Sequence, residues 1–386
     1  MRGGRRGSPQ SGAKSGMRIL APFEAGRTND RFCRREKNDI WSAVAITLSL
    51  GRGIVELGLY SEILNRIQEV NEYGGGASIF QIRQAVLDAV DAGANNGDQT
   101  LAGLRVDLQK RADAWSDVED HNARSSFFDT YCEATFYLSS GNRIAIEGIP
   151  RSSSSTADFR TLGEHAIYFE VKTLDIAEPN AAYAQRMSAG LEGNIEASEE
   201  AQSRGVGFST QVIRPHGVAQ TWPEVIEQTM RKLSGHIKKS QYANGPTFLV
   251  ANLARLSVYV YAEQLSPIYM APEEDAFDEN PFEVTGQLWA IANHELDGAF
   301  HWVGRDGQRE SQPIGRAGLL RDFPFIQGII FTDEPWSDFD RATDWKDSYR
   351  FLGVWNEDCT LPCDEPVRAA AKEVMNSLCD RVVSTR

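Results

Sequence analysis

The stretch Thr156-Ala157-Asp158-Phe159, then a polar run through Thr161-Leu162-Gly163-Glu164-His165, then Ile167-Tyr168-Phe169-Glu170-Val171-Lys172-Thr173, decides the fold. The last seven residues alternate. Ile167, Phe169, Val171 and Thr173 share one face, and Tyr168, Glu170 and Lys172 share the other. Period-two patterning of this kind predicts a strand. Glu170 and Lys172 then project from one face, roughly 7 Å apart along the strand. The intervening turn residues predict a hairpin that returns Asp158 to the side of Glu170. Two carboxylates at one point suit Mg²⁺ or Mn²⁺, hard cations that take oxygen ligands and keep several waters. Such a cation makes a bound water more acidic and offsets charge on a phosphate, while Lys172 could orient that water.

Acid-x-Lys by itself is a weak signal. It occurs twice here, and the second copy, Asp344-Trp345-Lys346, lies in a polar stretch without alternation or a preceding acid hairpin. The ordinary reading of Glu170-Val171-Lys172 is a solvated strand face carrying a Glu–Lys pair. The flanks argue against it. Upstream, Ser125 to Ser139 reads as a helix with Phe127, Phe128, Tyr131, Thr135 and Leu138 on one stripe. Gly141-Asn142 stops it, and 143–147 reads as a short strand. Glu133 lies roughly opposite the stripe. Downstream, Pro223 to Tyr242 reads as a second amphipathic helix, with Ile226, Thr229, Met230, Leu233 and Ile237 facing inward. Arg231, Lys232, Lys238 and Lys239 gather on its other side. Asn244-Gly245-Pro246 breaks it before the apolar run 247–252. The predicted order is helix, strand, strand, strand, helix, strand.

With these motifs in place, residues from about 120 to 255 resemble the PD-(D/E)XK nuclease superfamily. The resemblance implies an α/β fold: a restriction-endonuclease-like mixed β-sheet core flanked by helices, with a helical N-terminal region ahead of it. It implies metal-dependent hydrolysis of phosphodiester bonds, with DNA the expected substrate. Asp158 and Glu170 would be metal ligands, Lys172 the catalytic lysine and Glu133 the helix acid. Arg231, Lys232, Lys238 and Lys239 would contact nucleic acid. The Pro of the family name is replaced, since Thr156-Ala157 precedes Asp158. Some members carry a supporting Gln in the second helix. Gln228 and Gln241 occupy that region and read as ordinary surface glutamines. The rival reading is a catalytically inactive nuclease fold acting as a nucleic-acid-binding or scaffold subunit.

Charge bears on that rivalry. The net charge is −14, awkward for a chain that must approach phosphates. The distribution is uneven: residues 201–262 hold seven basic and two acidic residues, and residues 271–386 hold 11 basic and 23 acidic. A positive surface beside the motif is therefore compatible with an acidic chain. The overall charge implies a protein partner or a homo-oligomer to supply further grip, or a particular end, flap or RNA as substrate.

The length allows two or three domains. The expected division is a disordered tail at 1–16, a helical region at 17–120, the nuclease-like core at 121–260 with an insertion at about 176–221, and a C-terminal α/β extension at 261–386. Helices are expected from Asp39 through Leu48, around Leu57 to Ile67, from Ile79 to Val90 and from Leu101 to Trp115, with Gly74-Gly75-Gly76 as a break. Arg214 and His216, near the end of the insertion, read as surface loop. In the last third, Glu283 to Asn293 reads as a helix, Phe300 to Ile314 as a hairpin, 326–331 and 351–355 as strands, and Asp364 to Val382 as a terminal helix. His294, Glu295 and Asp297 match no standard ligand spacing and read as surface. No run approaches the ~18 apolar residues of a membrane span, and no partner membrane is expected. Five scattered cysteines fit a reducing cytoplasm. Cys359 and Cys363 lack the second pair that a zinc site needs.

Overall fold

The computed structural model describes residues 58–70, 82–116, 120–150, 156–174, 200, 203–204, 221–253, 262–270, 283–304, 308–333 and 349–386. The N-terminal tail, the Asp39 helix, the triple-glycine break, Arg214, His216, the Asp344-Trp345-Lys346 copy and nearly all of the insertion lie outside these residues.

Four helices come first: α1 (Leu59–Val70), α2 (Gln84–Asn95), α3 (Gln99–Ala114) and α4 (His121–Ser140). Asp98 caps α3 by accepting from the Leu101 amide, and Asp120 caps α4 by accepting from the Asn122 and Ala123 amides. The predicted stripe of α4 is buried, but so are Ala134, Phe136, Ser139 and Ser140. The helix is wrapped on two sides. Phe127, Phe128 and Tyr131 pack with α1, α2 and α3, whereas Phe136 packs on the sheet. The Phe136 ring lies 5.6 Å from Phe169, 5.7 Å from Phe159 and 6.1 Å from Phe351. One helix thus fastens the helical layer to the strands.

The strands are β1 (Ile146–Gly148), β2 (Phe159–Thr161), β3 (Tyr168–Thr173), β4 (Thr247–Asn252), β5 (Ile268–Met270), β6 (Glu283–Thr285), β7 (Ala299–Val303), β8 (Arg309–Pro313), β9 (Gly328–Asp333), β10 (Arg350–Trp355) and β11 (Arg381–Ser384). Seven form one mixed sheet in the order β1-β2-β3-β4-β9-β10-β11. The chain is therefore a mixed α/β protein. β3, β4 and β9 run parallel, and β1–β2–β3 and β9–β10 are antiparallel. β3 reaches β4 through α5 (Trp222–His236), as a parallel pair requires a crossover. β4 is buried at every position, the mark of a strand covered on both faces.

One face of the sheet carries Leu249, Ala251, Ile329 and Phe331 against α5 residues Ile226, Met230 and Leu233 and against Leu288 and Ile291 of α6 (Gln287–Asn293). The other carries Phe169, Val171, Phe248, Val250 and Ile330 against Phe136 and against Met375 and Leu378 of α8 (Glu365–Leu378). A short helix, α7 (Leu319–Asp322), precedes β9.

Three elements differ from the sequence reading. The expected helix from Glu283 is a strand, β6, followed by the seven-residue α6. Gly286 divides them, because a Cβ there would meet the Ser266 and Gln264 carbonyl oxygens at 2.3 and 2.4 Å. The terminal helix stops at Leu378, and 381–384 becomes β11, parallel to β10, so Val382 is strand and not helix. Asp380 fixes the corner: its carboxylate accepts from the Phe351 amide at 2.9 Å and pairs with Arg143 at 2.7 Å. The second amphipathic helix ends at His236, and a 3₁₀ turn, Lys239–Tyr242, follows the extended residues Ile237 and Lys238.

Candidate active site

The hairpin β2–β3 forms with Phe159 opposite Phe169 and Arg160 opposite Tyr168. Asp158 comes just before the first registered pair and is held against β3 by two hydrogen bonds of its own. Its amide donates to the Phe169 carbonyl at 3.0 Å, and its Oδ2 accepts from the Val171 amide at 2.8 Å. The carboxylate thus stands in for the next backbone carbonyl of the ladder, holding Asp158 between the two neighbours of Glu170.

Glu170 and Lys172 pair in parallel register with Leu249 and Ala251, which puts both on the α5 face of the sheet. That face is not solvated here. Glu170 is 1% exposed. Its Oε1 accepts from the Lys172 ammonium and from the Gln241 side-chain amide. Its Oε2 is buried and has no hydrogen-bond partner among the described residues. Burial, and next the charge of Asp158, push the Glu170 carboxyl up to about 7, against the pull of Lys172 and Lys238. Lys172 moves the other way from burial alone. Burial pulls its ammonium down, but the charges of Glu170 and Asp158, the hydrogen bond to Glu170 and the charge of Glu133 together raise it. Glu133, half-buried on α4, is therefore within electrostatic reach of Lys172.

Gln241 is not the surface glutamine that its sequence suggests. It is 8% exposed and sits on the 3₁₀ turn, its Oε1 accepting from the Lys238 amide at 3.1 Å while its amide reaches Glu170. Read as one long helix, the segment puts Gln241 near a frayed end. The break after Gly235-His236 turns it inward. Gln228, by contrast, stays within α5 and takes no part in these bonds.

The basic residues divide. Burial, and next the charges of Lys172, Lys232 and Lys238, push His236 down, so three ammonium groups lie within electrostatic reach of the end of α5, and Lys172 and Lys238 act on Glu170 as well. Arg231 is exposed and tied to Glu227 one turn back, and Lys239 is exposed on the 3₁₀ turn. His236 carries no sequence signal that ties it to Glu170. Tyr242 is 1% exposed, and no pattern distinguishes it from a core aromatic.

Among the described residues no three His, Cys, Asp or Glu converge as a metal cage. The donor set is two carboxylates, one with a buried oxygen that has no hydrogen-bond partner among the described residues. That fits Mg²⁺ or Mn²⁺, which take one or two carboxylates and keep their waters. His294 is buried and not on the surface as expected, bonding the Gly298 carbonyl at 3.0 Å, and Glu295 pairs with Arg321. Cys359 and Cys363 are free thiols. No helix among the described residues is long and apolar enough to cross a membrane. Comparison with protein-family models, with curated proteins and with solved structures returns no match to this chain.

Proposed function

We propose that this chain is a metal-dependent nuclease with a restriction-endonuclease-like core of the PD-(D/E)XK kind, hydrolysing phosphodiester bonds, with DNA the expected substrate. One observation carries the reading. A buried carboxylate keeps one oxygen without a hydrogen-bond partner among the described residues, within electrostatic reach of a second carboxylate that bonds the next residue of its strand, and beside a lysine on the same strand face. An orphaned buried oxygen costs stability, so its retention argues for use. The order α4, β1, β2, β3, α5, β4 supports the same reading.

Asp158 and Glu170 would hold the cation, which supplies an acidified water and offsets charge on the scissile phosphate. The chain's own residues do the rest. Gln241 and Lys172 both bond Glu170 Oε1, leaving Oε2 as the coordinating atom. The Val171 amide fixes one Asp158 oxygen and so sets the direction of the other. The Lys172 ammonium sits where it can orient an attacking water and stabilise the developing phosphorane charge. Lys232 and Lys238 add positive charge at the end of α5, and Lys238 acts on Glu170 too, which would let an acidic chain receive a phosphate backbone.

The net charge of −14 favours a second reading, a non-catalytic nucleic-acid-binding subunit on the same fold. Mg²⁺-dependent cleavage of plasmid and single-stranded DNA by the wild type and by Lys172→Ala separates the two. Cleavage lost in the variant supports the nuclease. Equal cleavage by both, or DNA retention without cleavage by either, overturns it.

A further inference from the structure

The 3₁₀ turn that delivers Gln241 to Glu170 delivers its neighbour as well. Tyr242 is 1% exposed, packed against the residues that flank the carboxylate pair on the α5 face, with its ring set edge-on to Phe325 at 5.3 Å. Its hydroxyl is buried and has no hydrogen-bond partner among the described residues. Burial, followed by the charges of Glu170 and Asp158, pushes that hydroxyl well above its ordinary range, so it lies within electrostatic reach of the same two carboxylates. A phenol in an apolar cluster, with no use for its oxygen, would be better replaced by phenylalanine. Burying an unbonded hydroxyl is unfavourable, whereas a buried Tyr normally finds a partner. Two orphaned oxygens, Tyr242 Oη and Glu170 Oε2, therefore occur in one small neighbourhood, and a hydrated cation is a group that can serve both.

We propose that Tyr242 is a positioning residue of the carboxylate site, its hydroxyl holding a water of the divalent cation's hydration shell. This rests on the reading of Asp158 and Glu170 as cation ligands. It adds a polar interaction that acts through water rather than on the cation. Mg²⁺ and Mn²⁺ give up their waters reluctantly and bind best where those waters are themselves bonded. A phenol can accept from such a water and donate to a carboxylate at once.

The test compares wild type, Tyr242→Phe and Glu170→Gln by calorimetric titration with Mn²⁺ and by thermal melts with and without the ion, with no substrate present. Tyr242→Phe is expected to melt, ion-free, no lower than wild type, because the change removes only an unbonded hydroxyl. Its Mn²⁺ affinity is expected to fall roughly 3- to 10-fold, the size of one ordinary hydrogen bond. The ion-induced rise in melting temperature shrinks accordingly. Glu170→Gln should abolish binding. Wild-type affinity in Tyr242→Phe overturns the role of Tyr242 while leaving the cation site standing. An ion-free melt well below wild type also overturns it, since the hydroxyl would then have a structural partner. No Mn²⁺ binding by the wild type removes the cation reading itself, and the role of Tyr242 with it.

Discussion

Gln241 donates its side-chain amide to Oε1 of Glu170 across 71 positions of sequence. The bond ties the turn after α5 to the middle of β3. Among the described residues it is one of two side-chain donors to a carboxylate buried at 1% exposure. Gln241→Ala removes that donor and leaves the Lys238 amide without its acceptor. The expected cost is about 1–3 kcal/mol of stability, the range for an abandoned buried partner. Chemical denaturation at pH 8 measures it. The loss should shrink toward pH 6, where Glu170 can take up a proton instead.

Glu170 also gives the ion-free protein a distinctive pH response. Its folded pKa of about 7 stands above the ordinary 4.5. Between these values the folded chain holds a proton that the unfolded chain has released. Stability contributed by this group is therefore full below about pH 4.5 and declines as pH rises toward 7. Glu170→Gln is expected to flatten that decline in melts collected from pH 5 to 8. Cation binding must displace the same proton, so Mn²⁺ affinity should climb by up to about tenfold per pH unit below 7 and level off above it. A pH-independent affinity would disconnect Glu170 from the ion.

The sequence carried the strand and hid the burial. Alternation through Ile167–Thr173 is a local property, and it placed Glu170 and Lys172 on one face correctly. Whether that face meets water or α5 depends on chain 50 to 70 residues away, which period-two patterning does not encode. The same limit explains Gln241: the helix stops at His236 because Ile237 and Lys238 are extended, and helical spacing reads straight through them. Gly286 and Asp380 tell the same story at β6 and β11. The first is a glycine because backbone oxygens from another segment crowd its Cβ position, and the second ends a helix because Phe351 and Arg143 claim its carboxylate. Asp158 was the favourable case, since a hairpin joins strands that are close in sequence and so brings Asp158 to the Val171 amide beside Glu170.

The basic cluster gives a separable expectation about nucleic acid. Lys232 and Lys238 act on His236 together with Lys172, whereas Arg231 is occupied by Glu227. Replacing Lys232 and Lys238 with Gln should weaken DNA binding and lower the slope of log affinity against log salt by about 0.7–0.9 for each phosphate that is no longer neutralised. Arg231→Gln should change the slope little. Fluorescence anisotropy over a salt series distinguishes them, and a larger effect from Arg231 would move the nucleic-acid path to the outer face of α5.

Phe136 holds the helical layer to the strands through three rings, all within 6.1 Å. Phe136→Ala leaves a cavity that neither layer can close without moving the β2–β3 hairpin. The expected cost is about 3–5 kcal/mol. Hydrogen exchange should show faster opening of the Asp158 and Val171 amides than of those in β9, because β2, β3 and β10 supply the rings around the cavity and β9 supplies none. Uniform loosening would mean that α4 is not what braces the site.

Asp158 permits structure and chemistry to be separated at one position. Its Oδ2 accepts the Val171 amide, a ladder bond that any side-chain carbonyl oxygen can supply. Asp158→Asn keeps that acceptor and removes the negative charge. The melt is expected to stay close to wild type, and slight stabilisation above pH 7 follows from relieving repulsion on Glu170. Asp158→Ala loses the acceptor, strands the Val171 amide of β3, and should cost about 1–3 kcal/mol. Both variants are expected to lose Mg²⁺-dependent cleavage, since a neutral amide is a poor ligand for a hard cation beside only one other carboxylate. If Asp158→Asn instead cleaves DNA as the wild type does, Asp158 is a strand cap and nothing more, and the ion must be held by Glu170 with oxygens from elsewhere.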